Sequence, residues 1–332
     1  MRFMIGRVLV IAGLVGGVVF AEEPYCRTHP VVYCNDFEMA TWDGMEHEDD
    51  AHLVTAGSPG QFVYQGVGAV EAVLDTDGTG ASFGYRFAGE DQVYVRFYMR
   101  FDGGWDRVMH HFFAVHGDRA NDPWSCHGIA GCRPNGLVCL NGTTVDSREV
   151  IAGEIPGEPF FYTYFPDMTC DSYSSCSNYA DPVAICDQCA VRGLPCDNGL
   201  ECCWGNHFNL NQGSPLSMHQ DRWYEVETMV RANSVVGGVG QPNGEMSLWI
   251  DGALVAHHTG MLWRHTAELH LNHFIVWNYF PEASQSYHIW FDNLVISTSP
   301  IGPIDGTVFT DGFDSGDTTS WDDTLPASAD SL

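Results

Sequence analysis

Lysine is missing from all 332 residues, and the fourteen basic side chains are all arginine. Chemistry that depends on an amine side chain, such as a Schiff base or a lysine general base, is therefore excluded. Positive charge of any kind is scarce: 43 acidic residues leave a formal net charge of −29. A field of that sign repels phosphate backbones and anionic lipid, so nucleic acid is not an expected partner. Beyond the first 21 residues no apolar run is long enough to span a bilayer, so membrane insertion is not expected either. Helical periodicity with caps is lacking too, which argues against all-α and α/β architectures.

What is present points outward from the cell. Arg2 and Arg7 precede an apolar run from Val8 to Phe20, and Val19-Phe20-Ala21 supplies the small residues of a cleavage site. This pattern predicts a signal peptide over 1–21 and a secreted, extracellular or periplasmic product. Its removal would make the chain two charges more acidic. All twelve cysteines follow Ala21, and their even number in an exported chain predicts disulfides. A zinc site at Cys186-Asp-Gln-Cys189 and Cys202-Cys203, near His207, is the alternative.

Strand signals dominate the remainder. VYVRFYMRF (93–101), WYEVETMVR (223–231), EMSLWI (245–250), LHLNHFIVW (269–277) and YHIWFDNLVIS (287–297) are rich in aromatic and β-branched residues. Each is bounded by turn formers, and Asp251-Gly252 links two apolar runs as a tight hairpin does. The pattern predicts an all-β, antiparallel sandwich or barrel over 22–299. Ten cysteines fall between Cys126 and Cys203, so 126–207 reads as a disulfide-rich loop insertion carrying one or two short strands, FFYTYF (160–165) among them. Residues 300–332, rich in Asp, Ser and Thr, read as an acidic C-terminal tail.

The succession WYEVETMVRAN, NGEMSLWIDGALVAHHTGMLWR, LHLNHFIVWNYF and YHIWFDNLVIS resembles the jelly-roll polysaccharide lyases of the concanavalin A-like lectin and glucanase superfamily. Upstream, YVRFYMRFDGGWDRV resembles the strand and turn that precede the active-site strand in alginate and glucuronan lyases of this shape, and FYTYFP resembles their strand with tyrosines two apart. The resemblance implies a β-sandwich jelly roll whose concave face binds a polysaccharide. The reaction it implies is β-elimination beside a uronate carboxylate, with no cofactor required. That reaction needs a group to neutralise the carboxylate, a base to remove the α-proton and an acid for the leaving oxygen. Some of these lyases use a lysine after the FDGGW-like turn, where this chain has Met109-His110-His111.

Strand alternation then sorts the candidates, because residues two apart share a face. Tyr94, Arg96, Tyr98 and Arg100 share one; they read as a sugar platform with Arg96 or Arg100 as carboxylate clamp, or as a solvated face with Arg–Tyr stacking. His110 is the candidate base, with His111 expected in the core. His110 and His116 are too far apart along a strand to hold one ion. Tyr162 and Tyr164 are the candidate acid and its helper, or else a buried bonded pair. His270, Asn272 and Asn278 are expected to line the groove, opposite His273 and Trp277. Asp36 and Glu38 near the first strand, with Asp292 near the last, are candidates for a structural calcium. Glu225 and Glu227 have the spacing of a glycosidase pair, though a solvated outer face accounts for them more simply. A non-catalytic carbohydrate-binding module and a disulfide-stapled adhesion or structural protein are the competing readings.

Overall fold

The computed structural model describes residues 23–74, 81–127, 129–172, 189–191, 193–194, 201–213, 215–277 and 285–304. The expected leader and the tail beyond Ile304 lie outside them. Among the described residues one short helix, α1 (Pro24–Thr28), precedes twenty strands. These are β1 (Tyr33–Asn35), β2 (Glu46–His47), β3 (Ala51–Thr55), β4 (Gly68–Leu74), β5 (Phe83–Glu90), β6 (Gln92–Phe101), β7 (Phe113–Asp118), β8 (Cys139–Arg148), β9 (Pro156–Thr163) and β10 (Asp171–Ser172). After the insertion come β11 (Glu201–Cys202), β12 (Asn206–Phe208), β13 (Met218–His219), β14 (Trp223–Arg231), β15 (Val235–Val236), β16 (Val239–Gly240), β17 (Gly244–Ile250), β18 (Ala253–Met261), β19 (Leu271–Val276) and β20 (Tyr287–Ser297).

Two large sheets hold most of them. The first runs β18-β17-β14-β6-β20-β4-β3 with β1 against β20; the second runs β12-β9-β8-β7-β19-β5-β2 with β13 against β9. Neighbouring strands are antiparallel throughout. The fold is the antiparallel β-sandwich jelly roll expected from the sequence.

Alternation explains how the sheets meet. In β6, Val95, Phe97, Met99 and Phe101 are buried between the sheets, and Phe97 meets Phe113 of β7 edge-on at 5.1 Å. Val226 and Val230 of β14, and Phe274 and Val276 of β19, fill the same core. Each such burial contributes roughly 1.5–3 kcal/mol. Asp251-Gly252 joins β17 to β18 with φ of 52° and 73°, the mirror-image turn that strand twist favours.

Both outward faces are partly covered as well. Across the first sheet, Arg96 pairs with Glu23 beside α1, Glu227 accepts N–H groups from Ile301 and Gly302, and the Tyr98 hydroxyl accepts one from Ile304. Across the second sheet, the insertion packs a separate apolar cluster of Phe160, Tyr162, Tyr164, Met168 and Leu194. Disulfides Cys126–Cys139, Cys132–Cys189 and Cys170–Cys203 staple that cover, and Cys26–Cys34 ties α1 to β1. Oxidation of Cys189 and Cys203 overturns the zinc alternative at those positions; Cys186 lies outside the described residues. Disulfides at this density form in oxidising compartments. Among the described residues no helix is long and apolar enough to cross a membrane.

Candidate functional site

The outward face of β7, β8 and β9 gathers the imidazoles and phenols. His110 and His111 precede β7, and His111 has a left-handed backbone, φ 50°. A non-glycine residue in that region breaks strand alternation. The expectation of a core His111 is corrected on this ground: its ring turns to the same side as that of His110, 3.9 Å away between centroids.

Asp146 on β8 organises both. Its Oδ2 lies 2.9 Å from His110 Nδ1, and its Oδ1 accepts the His111 backbone N–H at 2.7 Å. Burial, opposed by Asp146 and aided by His110, lowers the His111 pKa to about 4, so this imidazole is neutral above that pH. His110 keeps 42% of its side chain exposed. The tautomer that donates Nδ1–H to Asp146 presents Nε2 as the acceptor.

β9 brings the tyrosines alongside. The Tyr162 ring lies 5.1 Å from that of His111 and 6.0 Å from that of His110, and its hydroxyl is 3.1 Å from the Tyr164 hydroxyl. Burial raises the pKa of both phenols, that of Tyr164 further still through Tyr162, so both are protonated donors. Only 7% of Tyr162 and 5% of Tyr164 is exposed, because they pack in one apolar cluster with Met168 and Leu194 of the insertion. Gly205 permits that approach: a Cβ there would fall 2.6 Å from the Tyr162 ring.

Sequence reasoning missed Arg148. It follows Asp146 by two positions on β8 and so shares its outward face. Its guanidinium carbon lies 6.0 Å from the Phe160 ring, and Nε donates to Glu158 Oε1 at 3.1 Å. The i, i+2 relation to Asp146 was the available signal.

Several expected residues lie elsewhere. Arg96 and Arg100 belong to the first sheet and face away from the second, so they do not meet His110 or Tyr162. Arg96 is 0% exposed and paired with Glu23 at 2.7 Å; Arg100 bonds Asp221 at 2.9 Å and covers the Phe62 ring. Tyr98 is stacked on Tyr64 at 3.8 Å, and Tyr94 lies near Trp249. Burial of Arg96 and Tyr98 corrects their expected parts in a carboxylate clamp and sugar platform, while Arg100 and Tyr94 are half-buried. Glu225 and Glu227 are buried rather than solvated.

β19 departs from simple alternation. An irregularity between Leu271 and His273 shifts its register against β5. A bulge of this kind reverses which residues face outward. Consequently His273 opposes His116, while Asn272 brackets the Asp118 backbone, accepting its N–H and donating to its carbonyl, each at 2.9 Å. His270 bonds Asp91 at 3.0 Å. Asn278 lies outside the described residues.

The candidate calcium ligands are engaged by backbone. Asp36 accepts N–H groups from Glu23 and Glu38, Glu38 from Val67 and Gly68, and Asp292 from Tyr64, Gln65 and Asn293. Among the described residues, two groups have ligand atoms within 4.8 Å of one another: His110, His111 and Asp146, and His116, Asp118, His127 and His273. His110 and His116 thus belong to separate clusters.

No protein-family model matches the sequence, and no curated protein matches it. Among solved structures, the marine alginate lyase from Aplysia kurodai is similar at TM-score 0.52 and 14% identity, covering 83% of this chain and 100% of its own. An alginate lyase from a Chlorella virus is similar at TM-score 0.51 and 16% identity, covering 81% and 99%. The likeness spans nearly the whole of both enzymes, and this chain has their jelly-roll fold.

Proposed function

We propose that this protein is an exported carbohydrate-active enzyme that cleaves a uronate-containing polysaccharide by β-elimination at the outward face of the second sheet. One observation carries the reading: a half-exposed His110, oriented by Asp146, stands beside the protonated phenols of Tyr162 and Tyr164. The alginate lyases that share the fold make the reaction class the natural one to test. Arg148, on the same face, takes the role once expected of Arg96 and Arg100, neutralising the uronate carboxylate. His110 Nε2 accepts the α-proton, and the Tyr162 hydroxyl donates one to the leaving oxygen. All three groups act without a cofactor.

Formation of unsaturated product, followed by ultraviolet absorbance on alginate, glucuronan and heparin-type polymers, tests the reading. Turnover on one polymer that is abolished in His110→Ala supports it; no product on any of them overturns it. The acidic surface repels such polymers at long range, so KM should fall as salt screens the field. Burial of both tyrosines favours a second reading, sugar binding without turnover, and glycan binding without unsaturated product would establish it.

A further inference from the structure

A second cluster, outside the proposed catalytic group, lies further along β7. His116 and Asp118 are buried on β7, His273 stands opposite His116 on β19, and His127 comes from the insertion. The three imidazoles form a near-equilateral triangle, with ring centroids 5.1, 5.3 and 5.9 Å apart. Nitrogen ligands at about 2.0–2.1 Å place a metal about 3.2 Å from each ring centre, so tetrahedral coordination separates the rings by about 5.2 Å.

Independent of that spacing, neither ring nitrogen of His116 or of His273 has a hydrogen-bond partner, although both residues are fully buried. A buried polar atom left without a partner costs about 1–3 kcal/mol. The nearest carboxylate to His273 Nδ1 is Asp118 Oδ2 at 3.7 Å, beyond hydrogen-bonding reach.

We propose that His116, His127, His273 and Asp118 bind one zinc-class divalent metal ion, which fastens the insertion to the second sheet. Three imidazoles and a carboxylate suit zinc and its neighbours and do not suit calcium or magnesium. Four protein ligands, three of them buried, make a closed, structural site.

The surroundings are built to hold this geometry. Asp118 is oriented by Arg86 Nη1 at 2.8 Å and by the Cys126 N–H at 2.7 Å. Trp124 and Trp277 stand edge-on to the half-buried His127 ring at 4.3 and 4.5 Å. Disulfide Cys126–Cys139 anchors the residue next to His127 to the start of β8. Around the ion, Asp118 and Glu46 offset Arg86, whose Nε bonds Glu46 at 3.0 Å.

Elemental analysis of the purified full chain, equilibrated with zinc and dialysed, should give one zinc per molecule. Substitution by Co2+ should give the intense visible bands of tetrahedral coordination. His127→Gln, on the insertion, should weaken zinc by more than the roughly 10–100-fold that loss of an outer-shell partner costs. His273→Gln should do the same, whereas His110→Gln should retain full stoichiometry. A chain that folds yet keeps no zinc, or zinc lost in His110→Gln and kept in His127→Gln, would overturn the assignment. Polysaccharide turnover does not enter these readouts, so failure of the proposed lyase activity leaves them interpretable.

Discussion

The outward faces of the two sheets carry similar polar alternation and have opposite characters. On the first, Arg96 sits among Glu23, Glu225 and Glu227, all buried under α1 and residues 298–304. On the second, His110, His111 and Asp146 stand at the margin of a disulfide-stapled cover, with Tyr162 and Tyr164 beneath it. Around Arg96 the first face closes with an ion pair and backbone N–H groups, and a part-exposed imidazole on it, His288, is bonded to Glu71 at 2.8 Å with no phenol pair beside it among the described residues. The second keeps an imidazole and a guanidinium half exposed. What covers a polar strand face therefore decides its role.

The comparison breaks most sharply at its two charged centres. Replacing His110 by Asn should reduce turnover by about 10²–10⁴-fold with Tm unchanged, the usual span of a lost general base. Steady-state kinetics with thermal melting would show whether chemistry and fold separate. Replacing Arg96 by Met should act in reverse, costing about 3–5 kcal/mol because three buried carboxylates lose their cation. Urea denaturation measures that loss. An Arg96→Met protein of normal stability but no activity would invert the assignment of the faces.

Acidification sharpens the contrast, since the faces respond with opposite signs. Burial, opposed by the Gly252 N–H and reinforced by Glu227, raises the Glu225 pKa to about 7. A raised carboxyl contributes stability that is present below about pH 4.5 and lost as pH rises through 7, on the order of 3 kcal/mol. His111, lowered to about 4, contributes stability that is present above about pH 6.5 and lost as pH falls through 4. Glu225→Gln should flatten the first limb of a stability–pH profile, and His111→Asn the second. Unaltered limbs in both variants would show that these groups do not govern the profile.

The smallest expected change concerns substrate. Arg148→Gln should lower kcat about tenfold, roughly 1.4 kcal/mol, because the guanidinium that neutralises the uronate carboxylate makes the α-proton removable. A rise in KM with kcat unmoved would place Arg148 in substrate binding alone.

Much of the sandwich was legible because alternation is a local property. Val95, Phe97, Met99 and Phe101 read as an inward set and are one, and Asp251-Gly252 reads as a hairpin and forms it. The same pattern put Tyr94, Arg96, Tyr98 and Arg100 on a shared face but could not say which sheet β6 joins or what lies over it. Two local irregularities defeated the pattern elsewhere. A left-handed His111 and a shifted register before His273 each turned a side chain to the face opposite the expected one.

By itself, then, the sequence determined the strand periods, the excess of negative charge, the absence of lysine and the disulfide-rich character of the insertion. Each of these follows from residue type and spacing alone. Only the tertiary structure decided that Arg96 is a buried counterion and that His110 meets Asp146. It alone drew His116, His127 and His273 together from two strands and a loop. The physical reason is that contacts between residues far apart in the chain depend on sheet order, bulges and cover, and none of these leaves a local period to read.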